Sequence, residues 1–205
     1  MSDAAVADIR LSCAPGKEKN DLVFSYKLEN QGKVAAYVMD AVATIDGASG
    51  LAKPNLRSVV VLAGPEEAAT VGKFMPPLPT DRRIAVPLIP LARPLAAGGT
   101  LQGRIEVPLP LAETSPYFAD LSLRQYEVVE IKAVIFTIGY WLAGIDGLVA
   151  SPLEGAPELC TVAARNTLRS ARRLSQRFSV RSLQFLTRTD QFPRNMPGAT
   201  EAERS

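Results

Sequence analysis

The chain has 205 residues, of which 47% are hydrophobic and 21% are charged, and its net charge is +2 at pH 7. These values are typical of a soluble globular protein that buries a sizeable core without disulfide bonds. The chain contains no histidine, which excludes imidazole-based catalytic triads, imidazole proton shuttles and histidine metal ligation.

Charge is unevenly distributed along the chain. Residues 1–160 contain 14 basic and 18 acidic side chains, whereas residues 161–205 contain nine arginines and three acids. The balance is therefore −4 in the first part and +6 in the second. Such an arrangement predicts either a solvated basic face or a contact surface for an acidic partner.

The N-terminal residues, MSDAAVADIRLS, have no basic segment followed by an apolar one, so we expect no secretory signal. The default location is then the cytoplasm, whose reducing conditions keep Cys13 and Cys160 as free thiols. A disulfide between these two residues is geometrically possible if the first and last strands meet.

Alternating apolar and polar residues predict strands in the first part of the chain. Asp21–Asn30 places Leu22, Phe24, Tyr26 and Leu28 on one face, which is typical of a half-buried strand. A short strand precedes it, where Ile9, Leu11 and Cys13 alternate with polar residues. A turn follows it, and the apolar run Val34–Ile45, closed by the turn Asp46-Gly47, predicts the next strand.

Five further segments have the character of strands: Arg57–Ala63, Ala69–Met75, Thr100–Leu109, Arg124–Leu142 with a kink near Gly139, and Glu158–Ala164. The apolar stretch Ala133–Ala150 has the minimum length of a membrane span. However, it contains Asp146 and three glycines, and it is rich in β-branched and aromatic residues, so a buried strand with its turn explains it better. About eight or nine strands at this spacing predict an antiparallel β-sandwich.

One segment breaks the alternation. Met75–Pro94 contains many prolines, and proline cannot donate a hydrogen bond to a neighbouring strand. We therefore expect this segment on a sheet edge or on a crossover between sheets. The PxxP spacing of Pro76–Pro79 and Pro87–Pro90 also fits a polyproline ligand, although Arg83 and Arg93 do not lie at the offsets that such ligands use.

Two segments, YKLENQGKVAAYVMD (Tyr26–Asp40) and AAGGTLQGRIEVPLPL (Ala96–Leu111), show a strand–turn–strand pattern. This pattern resembles that of bacterial immunoglobulin-like modules, including those of the intracellular proteinase-inhibitor type. The resemblance covers about half of the chain and implies an immunoglobulin-like binding scaffold whose partner surface lies on loops. No inhibitory loop is identified, so inhibition is not among the expectations.

Residues with catalytic potential are sparse. Asp46-Gly47 and Asp146-Gly147 are isolated turns without the other ligands of a calcium loop. Glu127 and Glu130 point to opposite faces of a strand, and neither cysteine has a histidine to activate it. No phosphate-binding glycine motif is present, so we expect no catalytic residues, no metal and no cofactor. An enzyme that only shapes an apolar cavity, as some cyclases and isomerases do, stays an alternative because it needs no motif.

The segment ARNTLRSARRLSQRFSVR (164–181) combines arginines with regularly spaced apolar residues. In a helix from Asn166 to about Phe178, Leu168, Ala171, Leu174 and Phe178 form one stripe, with the arginines on the opposite side. An alternative is a strand over Phe178–Thr189, where Phe178 and Val180, and then Leu183, Phe185 and Thr187, alternate. The helix is the main prediction, and residues 193–205 are expected to form a disordered tail.

These observations predict three parts: a β-sandwich at residues 1–160, a basic appendage at 161–192 and the tail. The expected function is a non-catalytic cytoplasmic binding or assembly module that contacts an acidic protein partner, and a homo-oligomer is possible. An anionic membrane surface or nucleic acid is a weaker alternative, because the body is acidic and the segment lacks tryptophan and interleaved aromatic residues. The candidate partner-binding residues are Arg165, Arg169, Arg172, Arg173, Arg177 and Arg181.

Overall fold

The computed structural model describes residues 8–45, 52–78, 88–117, 125–144, 147–164 and 167–189. Within these ranges the protein consists of β-strands and one helical turn. The strands are β1 (Ile9–Glu18), β2 (Asp21–Asn30), β3 (Ala36–Ile45), β4 (Ala52–Asn55), β5 (Val60–Ala63), β6 (Ala68–Lys73), β7 (Pro90–Leu95), β8 (Thr100–Pro108), β9 (Leu111–Ala112), β10 (Tyr126–Leu142), β11 (Val149–Leu153), β12 (Ala156–Ala163) and β13 (Arg172–Arg188); the turn is α1 (Thr167–Ser170). The predicted tail at 193–205 and the predicted Asp46-Gly47 turn lie outside these ranges.

The strands form two sheets. The smaller sheet has the antiparallel order β1-β2-β8, and the larger one has the order β11-β12-β7-β3-β10-β13-β9, with β4 beside β3, β6 beside β10 and β5 beside β6. β10 is the centre of the larger sheet, because it pairs with β13 along one edge and with β6 and β3 along the other. The all-β prediction is confirmed, but the predicted antiparallel pairing does not hold throughout, because β6 pairs parallel with β10 and β9 pairs parallel with β13.

One hydrophobic core lies between the two sheets. Alternation along β2 directs Phe24, Tyr26 and Leu28 towards the larger sheet, as the sequence predicted. There the ring of Phe24 stacks on Phe136 of β10, with 4.9 Å between ring centroids, and it also meets Phe178 of β13 at 6.2 Å. Burial of apolar and aromatic side chains from both sheets therefore holds the sandwich-like arrangement together.

The C-terminal basic segment is a strand and not the predicted amphipathic helix. α1 spans only four residues, and β13 pairs antiparallel with β10 over most of its length. Leu174, Phe178 and Val180 thereby enter the same core as the first 160 residues. The alternative prediction of a strand over Phe178–Thr189 is confirmed, and the predicted boundary at residue 160 falls inside β12.

The proline-rich segment supplies an interior strand, which differs from the edge or crossover that its composition predicted. β7 lies between β12 and β3. β12 pairs with β7 only at Leu91 and Ala92. Pro90 and Pro94 lie outside this short pairing, so their missing N–H groups do not weaken the pairing with β12. Residues 79–87 of the segment, and with them Pro79, Arg83 and Pro87, lie outside the described ranges.

The apolar stretch that begins at Ala133 is the second half of the buried strand β10, as predicted. In the part of the chain that the structure describes, no helix has the length and apolar content needed to cross a membrane. Cys13 and Cys160 are free thiols.

Candidate interaction surface

Arginine and serine alternate along the outer face of β13. Leu174, Gln176, Phe178 and Val180 point towards the smaller sheet, so the intervening residues point away from it. Up to the register shift at residues 180–182, these outward residues are Arg173, Ser175, Arg177 and Ser179; Arg181 lies within the shift, and all five are exposed. We call them the arginine face. The three arginines are four residues apart, so their Cα atoms are spaced by about 13 Å along the strand.

Arg173 is held in place by a segment that crosses over β10. Its guanidinium lies over the ring of Phe74, 4.8 Å from the centroid, and its Nη2 donates a hydrogen bond to the carbonyl oxygen of Met75 at 2.6 Å. The crossing passes over Gly139, where a Cβ atom would come within 3.0 Å of the Phe74 Cα. Gly139 therefore permits the close approach that brings Phe74 beneath Arg173.

The side chain of Arg177 extends away from the Arg173 contact with Phe74, to the turn between β5 and β6. Its Nη2 lies 3.3 Å from the backbone oxygen of Glu66 and 3.5 Å from the Oε2 atom of the same residue. The two side chains are 42% and 80% exposed, so solvent screens this ion pair and it contributes little to stability. The surface beneath is polar, since Ser175 shares a hydrogen bond of 2.9 Å with Thr137 of β10.

The structure separates the six predicted partner-binding arginines. Arg173, Arg177 and Arg181 belong to the arginine face, whereas Arg172 lies on the other face of β13, opposite the core residue Tyr140. Arg165 lies outside the described residues, and for Arg169 only the backbone of α1 is described. The prediction that the arginines share one face of a helix is therefore wrong.

The arginine face carries more positive charge than its surroundings neutralise. Apart from the exposed contact of Arg177 with Glu66, no carboxylate lies within ion-pair distance of this face among the residues that the structure describes. Burial beside Phe74 lowers the pKa of Arg173, but a guanidinium stays protonated at neutral pH. A row of guanidinium groups between small hydroxyl side chains can bind carboxylates or other oxyanions through charge-assisted hydrogen bonds.

A second group of charged residues lies inside the sandwich. Nζ of Lys73 lies 2.8 Å from Oδ1 of Asp40, and Nε of Arg93 lies 3.0 Å from Oδ2. The side chains of Lys73, Asp40 and Arg93 are 8%, 12% and 27% exposed. The Arg93 Nε–H is close enough to form an ion pair but is not aligned for a hydrogen bond, and Nη2 of the same residue lies 3.5 Å from Oδ1. We call these three residues the interior charge cluster.

A β-bulge in β3 explains how Asp40 reaches this interior position. The pairing of β3 with β7 shifts register between Met39 and Ala41, so Asp40 is the extra residue. A bulge redirects the side chain of the inserted residue. Here it directs a carboxylate towards Lys73 of β6 and Arg93 of β7, two strands that do not pair with each other.

Tyr26 of the smaller sheet covers the interior charge cluster. Burial, together with the nearby Asp40, raises the pKa of its hydroxyl to about 12, and the Arg93 guanidinium, hydrogen-bonded to it, opposes this rise. The ring passes over Gly103 of β8, where a Cβ atom would lie 2.2 Å from the hydroxyl oxygen. Gly103 is therefore needed for the tyrosine to reach the cluster.

The two cysteines lie in surroundings that suppress thiol chemistry. Burial raises the pKa of Cys13 to about 12. Burial also raises the pKa of Cys160, whose thiol donates a hydrogen bond to the backbone oxygen of Ala92 at 3.2 Å. Since the thiolate is the reactive species, both residues serve packing better than catalysis.

Sequence reasoning missed the interior charge cluster. The available signal was the presence of single charged residues in apolar runs: Asp40 lies within Val34–Ile45, and Lys73 lies within Ala69–Met75. Charged side chains in such runs are expected to pair with one another when they are buried. Within the described ranges, no group of three or more cysteine, aspartate or glutamate side chains has an arrangement that could hold a metal ion.

The chain matches no protein-family model, and comparison with curated proteins and with solved structures finds no significant similarity.

Proposed function

We propose that this protein is a non-catalytic, cytoplasmic binding or assembly module with an immunoglobulin-like scaffold, and that it contacts an acidic protein partner through the arginine face. The observation that carries the proposal is the row formed by Arg173, Arg177 and Arg181. The fold does not need these charges for pairing, because only Arg177 has a carboxylate partner among the described residues, and that partner is an exposed one.

The chemistry of the face favours a protein over a lipid surface. The residues between the arginines are Ser175 and Ser179, and a membrane-binding surface needs exposed apolar side chains that enter the lipid layer. The face also favours a protein over single-stranded nucleic acid. The aromatic ring nearest to the arginines, Phe74, is 1% exposed and already covered by Arg173, so it offers no platform for stacking a base.

The test compares two variants of the same strand. In Arg177→Glu/Arg181→Glu the arginine face loses two positive charges and gains two negative ones. Arg172→Glu is the matched control, because it reverses an exposed charge on the opposite face of β13. Each protein is immobilised as the full chain, and native lysate is applied at low and at high salt, with the retained proteins identified by mass spectrometry.

We expect acidic proteins to be retained at low salt by the wild type and by Arg172→Glu and to be lost from the double variant, since interactions between exposed charges are screened. Three defined probes distinguish the sources of negative charge: a polyglutamate peptide, duplex DNA and vesicles containing an anionic lipid. Retention of the same proteins by wild type and double variant contradicts the proposal. Preference for DNA or vesicles over acidic proteins assigns the face to one of those ligands instead.

A further inference from the structure

A different surface, the free edge of β8, offers unpaired backbone groups. The register of β8 with β2 is fixed at both ends by hydrogen bonds from Leu109 N to Asn20 O at 2.8 Å and from Asn30 N to Gly99 O at 3.0 Å. In an antiparallel pair, hydrogen-bonded and non-hydrogen-bonded residues alternate. The odd-numbered residues of β8 therefore direct their N–H and C=O groups to β2. The even-numbered ones, including Gln102, Arg104 and Glu106, direct theirs to the open edge.

The other edge of the smaller sheet is capped at one position. On β1, the outward N–H of Cys13 donates to the side-chain oxygen of Gln176 of β13 at 3.2 Å. For Gln102, Arg104 and Glu106, no acceptor of the backbone N–H exists within the described part of the chain. An uncapped row of this kind is a template for pairing with another strand.

The side chains on this edge are complementary to themselves. Arg104 and Glu106 are two residues apart on the outer face. Nε of Arg104 donates to Oε1 of Glu106 at 2.8 Å, and its Nη2 donates to Oε2 of Glu18 at 2.6 Å. Two copies of β8 can pair antiparallel about a two-fold axis through the outward N–H and C=O groups of their even-numbered residues. Near Arg104 and Glu106, three registers place even-numbered residues opposite each other. Arg104 opposite Arg104, or Glu106 opposite Glu106, places like charges together, which is unfavourable. The register centred on Ile105 places each Arg104 opposite Glu106 of the second copy.

We propose that β8 pairs antiparallel with β8 of a second copy of this chain, in the register centred on Ile105. Arg104 and Glu106 then form a ring of four alternating charges with the same residues of the second copy. At each pair of Arg104 with Glu106 of the other copy, the backbone N–H of each residue donates to the carbonyl oxygen of the other. Gln102 lies opposite Pro108 of the second copy, where the missing N–H of proline limits the ladder.

The space beside the edge suits this occupant. A cavity of about 590 Å³ opens between β8 and residues 56–59. Four of its nine lining residues are apolar, namely Leu56, Val59, Ile105 and Pro108, and the other five are charged. Leu56 is 50% exposed. Ile105 is already buried within its own copy, so the apolar surface that a second β8 strand at the edge removes from water is mainly that of Leu56.

The experiment measures the mass of the full-length protein in solution by light scattering and sedimentation over a range of concentrations. The wild type is expected to be a dimer that dissociates on dilution. Arg104→Glu and Glu106→Arg each replace both ion pairs by like charges, so each is expected to raise the dimer dissociation constant about tenfold or more. An equimolar mixture of the two variants restores opposite charges at both pairs and is expected to form a heterodimer.

Three further variants separate edge pairing from general effects. Lys27→Glu reverses an exposed charge on the same face but on the central strand β2, and it is expected to leave the dimer unchanged. Gln102→Pro removes an N–H that faces the open edge and no hydrogen bond to β2, so it is expected to weaken the dimer, whereas Gln102→Ala is not. Far-ultraviolet circular dichroism verifies that each variant is folded.

The result that overturns the proposal is a monomeric wild type across the concentration range, or a dimer that both charge-reversal variants retain. Failure of the folded variants to associate when mixed also overturns it, since that outcome excludes the register. The arginine face on β13 takes no part in this pairing, so the capture experiment and the mass measurement succeed or fail independently.

Discussion

Two groups of cationic side chains lie on the larger sheet, and their surroundings differ in kind. Lys73 and Arg93 are inside the sandwich, and a single carboxylate, that of Asp40, lies within hydrogen-bonding or ion-pairing distance of both. Arg173 and Arg177 lie on the outer face, where their contacts are a ring, backbone oxygens and one exposed glutamate. The folded state depends on the contacts of Lys73 and Arg93 with Asp40, because a buried charge without its partner raises the free energy of the folded protein. The outer arginines are free of that constraint, because loss of their contacts leaves no buried charge without a partner.

The largest effect is expected from removal of the interior carboxylate. Asp40→Ala leaves Lys73 and Arg93 buried without their counter-charge and should lower the free energy of unfolding by about 3–5 kcal/mol. Urea-induced unfolding, followed by the fluorescence of the buried Trp141, measures the change. Glu66→Ala, which removes the exposed carboxylate beside Arg177, is the control and should cost less than about 1 kcal/mol. If Asp40→Ala and Glu66→Ala lowered the free energy of unfolding equally, the interior and the outer ion pairs would not differ in their contribution to stability.

An intermediate effect is expected from pH, through the tyrosine that covers the interior cluster. The pKa of Tyr26 is raised from 10.0 to about 12, so the folded protein keeps a proton that the unfolded chain loses. The stability due to this residue is complete below pH 10 and is lost as the pH rises towards 12, by roughly 2–3 kcal/mol.

Tyr26→Phe should flatten this alkaline decline in the free energy of unfolding, measured in urea at several pH values. Cys13 adds a similar decline from pH 9 upwards, because its pKa is raised from 9.0 to about 12. The comparison is therefore made in a Cys13→Ala background. A decline of the same size with phenylalanine at position 26 would mean that the hydroxyl is not coupled to folding.

The smallest effect on stability is expected on the arginine face. Arg173→Ala removes the contact with Phe74 and the hydrogen bond to Met75, and it should lower the unfolding free energy by about 1 kcal/mol. Arg181→Ala should change it by less than about 0.5 kcal/mol, because this exposed side chain has no hydrogen bond or ion pair with any residue that the structure describes. Thermal unfolding of the two variants and the wild type shows which variant loses more stability. A loss of several kcal/mol from either variant would assign the face a structural role.

The strands that alternate cleanly could be predicted from the sequence, and the charged interior could not. β2 has the bounds Asp21–Asn30 that period-two alternation predicted, since every second side chain of a half-buried strand must be apolar. The position of Asp40 depends on a bulge in the pairing of β3 with β7, and these strands are separated by a long stretch of chain. Nothing in the residues near Asp40 records that register shift.

The arginine segment shows why local pattern was not enough. Leu174 and Phe178 are four residues apart, and this spacing fits one face of a helix as well as one face of a strand. The choice was decided by β10, whose edge accepts β13 along most of its length and places Phe178 against Phe24. Tertiary pairing overrode the local preference, and it moved Arg172 away from Arg173 and Arg177.

By itself, the sequence determined the all-β class, most of the strands in its first 160 residues, the concentration of positive charge near its C-terminus and the exclusion of histidine chemistry. These follow from composition and from a period of two, which are properties of neighbouring residues. Only the tertiary structure decided which arginines share a face, which carboxylate lies between Lys73 and Arg93, and that β8 lies at an edge of the smaller sheet. Those features depend on contacts between strands far apart in the chain, and the physical reason is that a side chain's partner is set by sheet register, which local sequence does not encode.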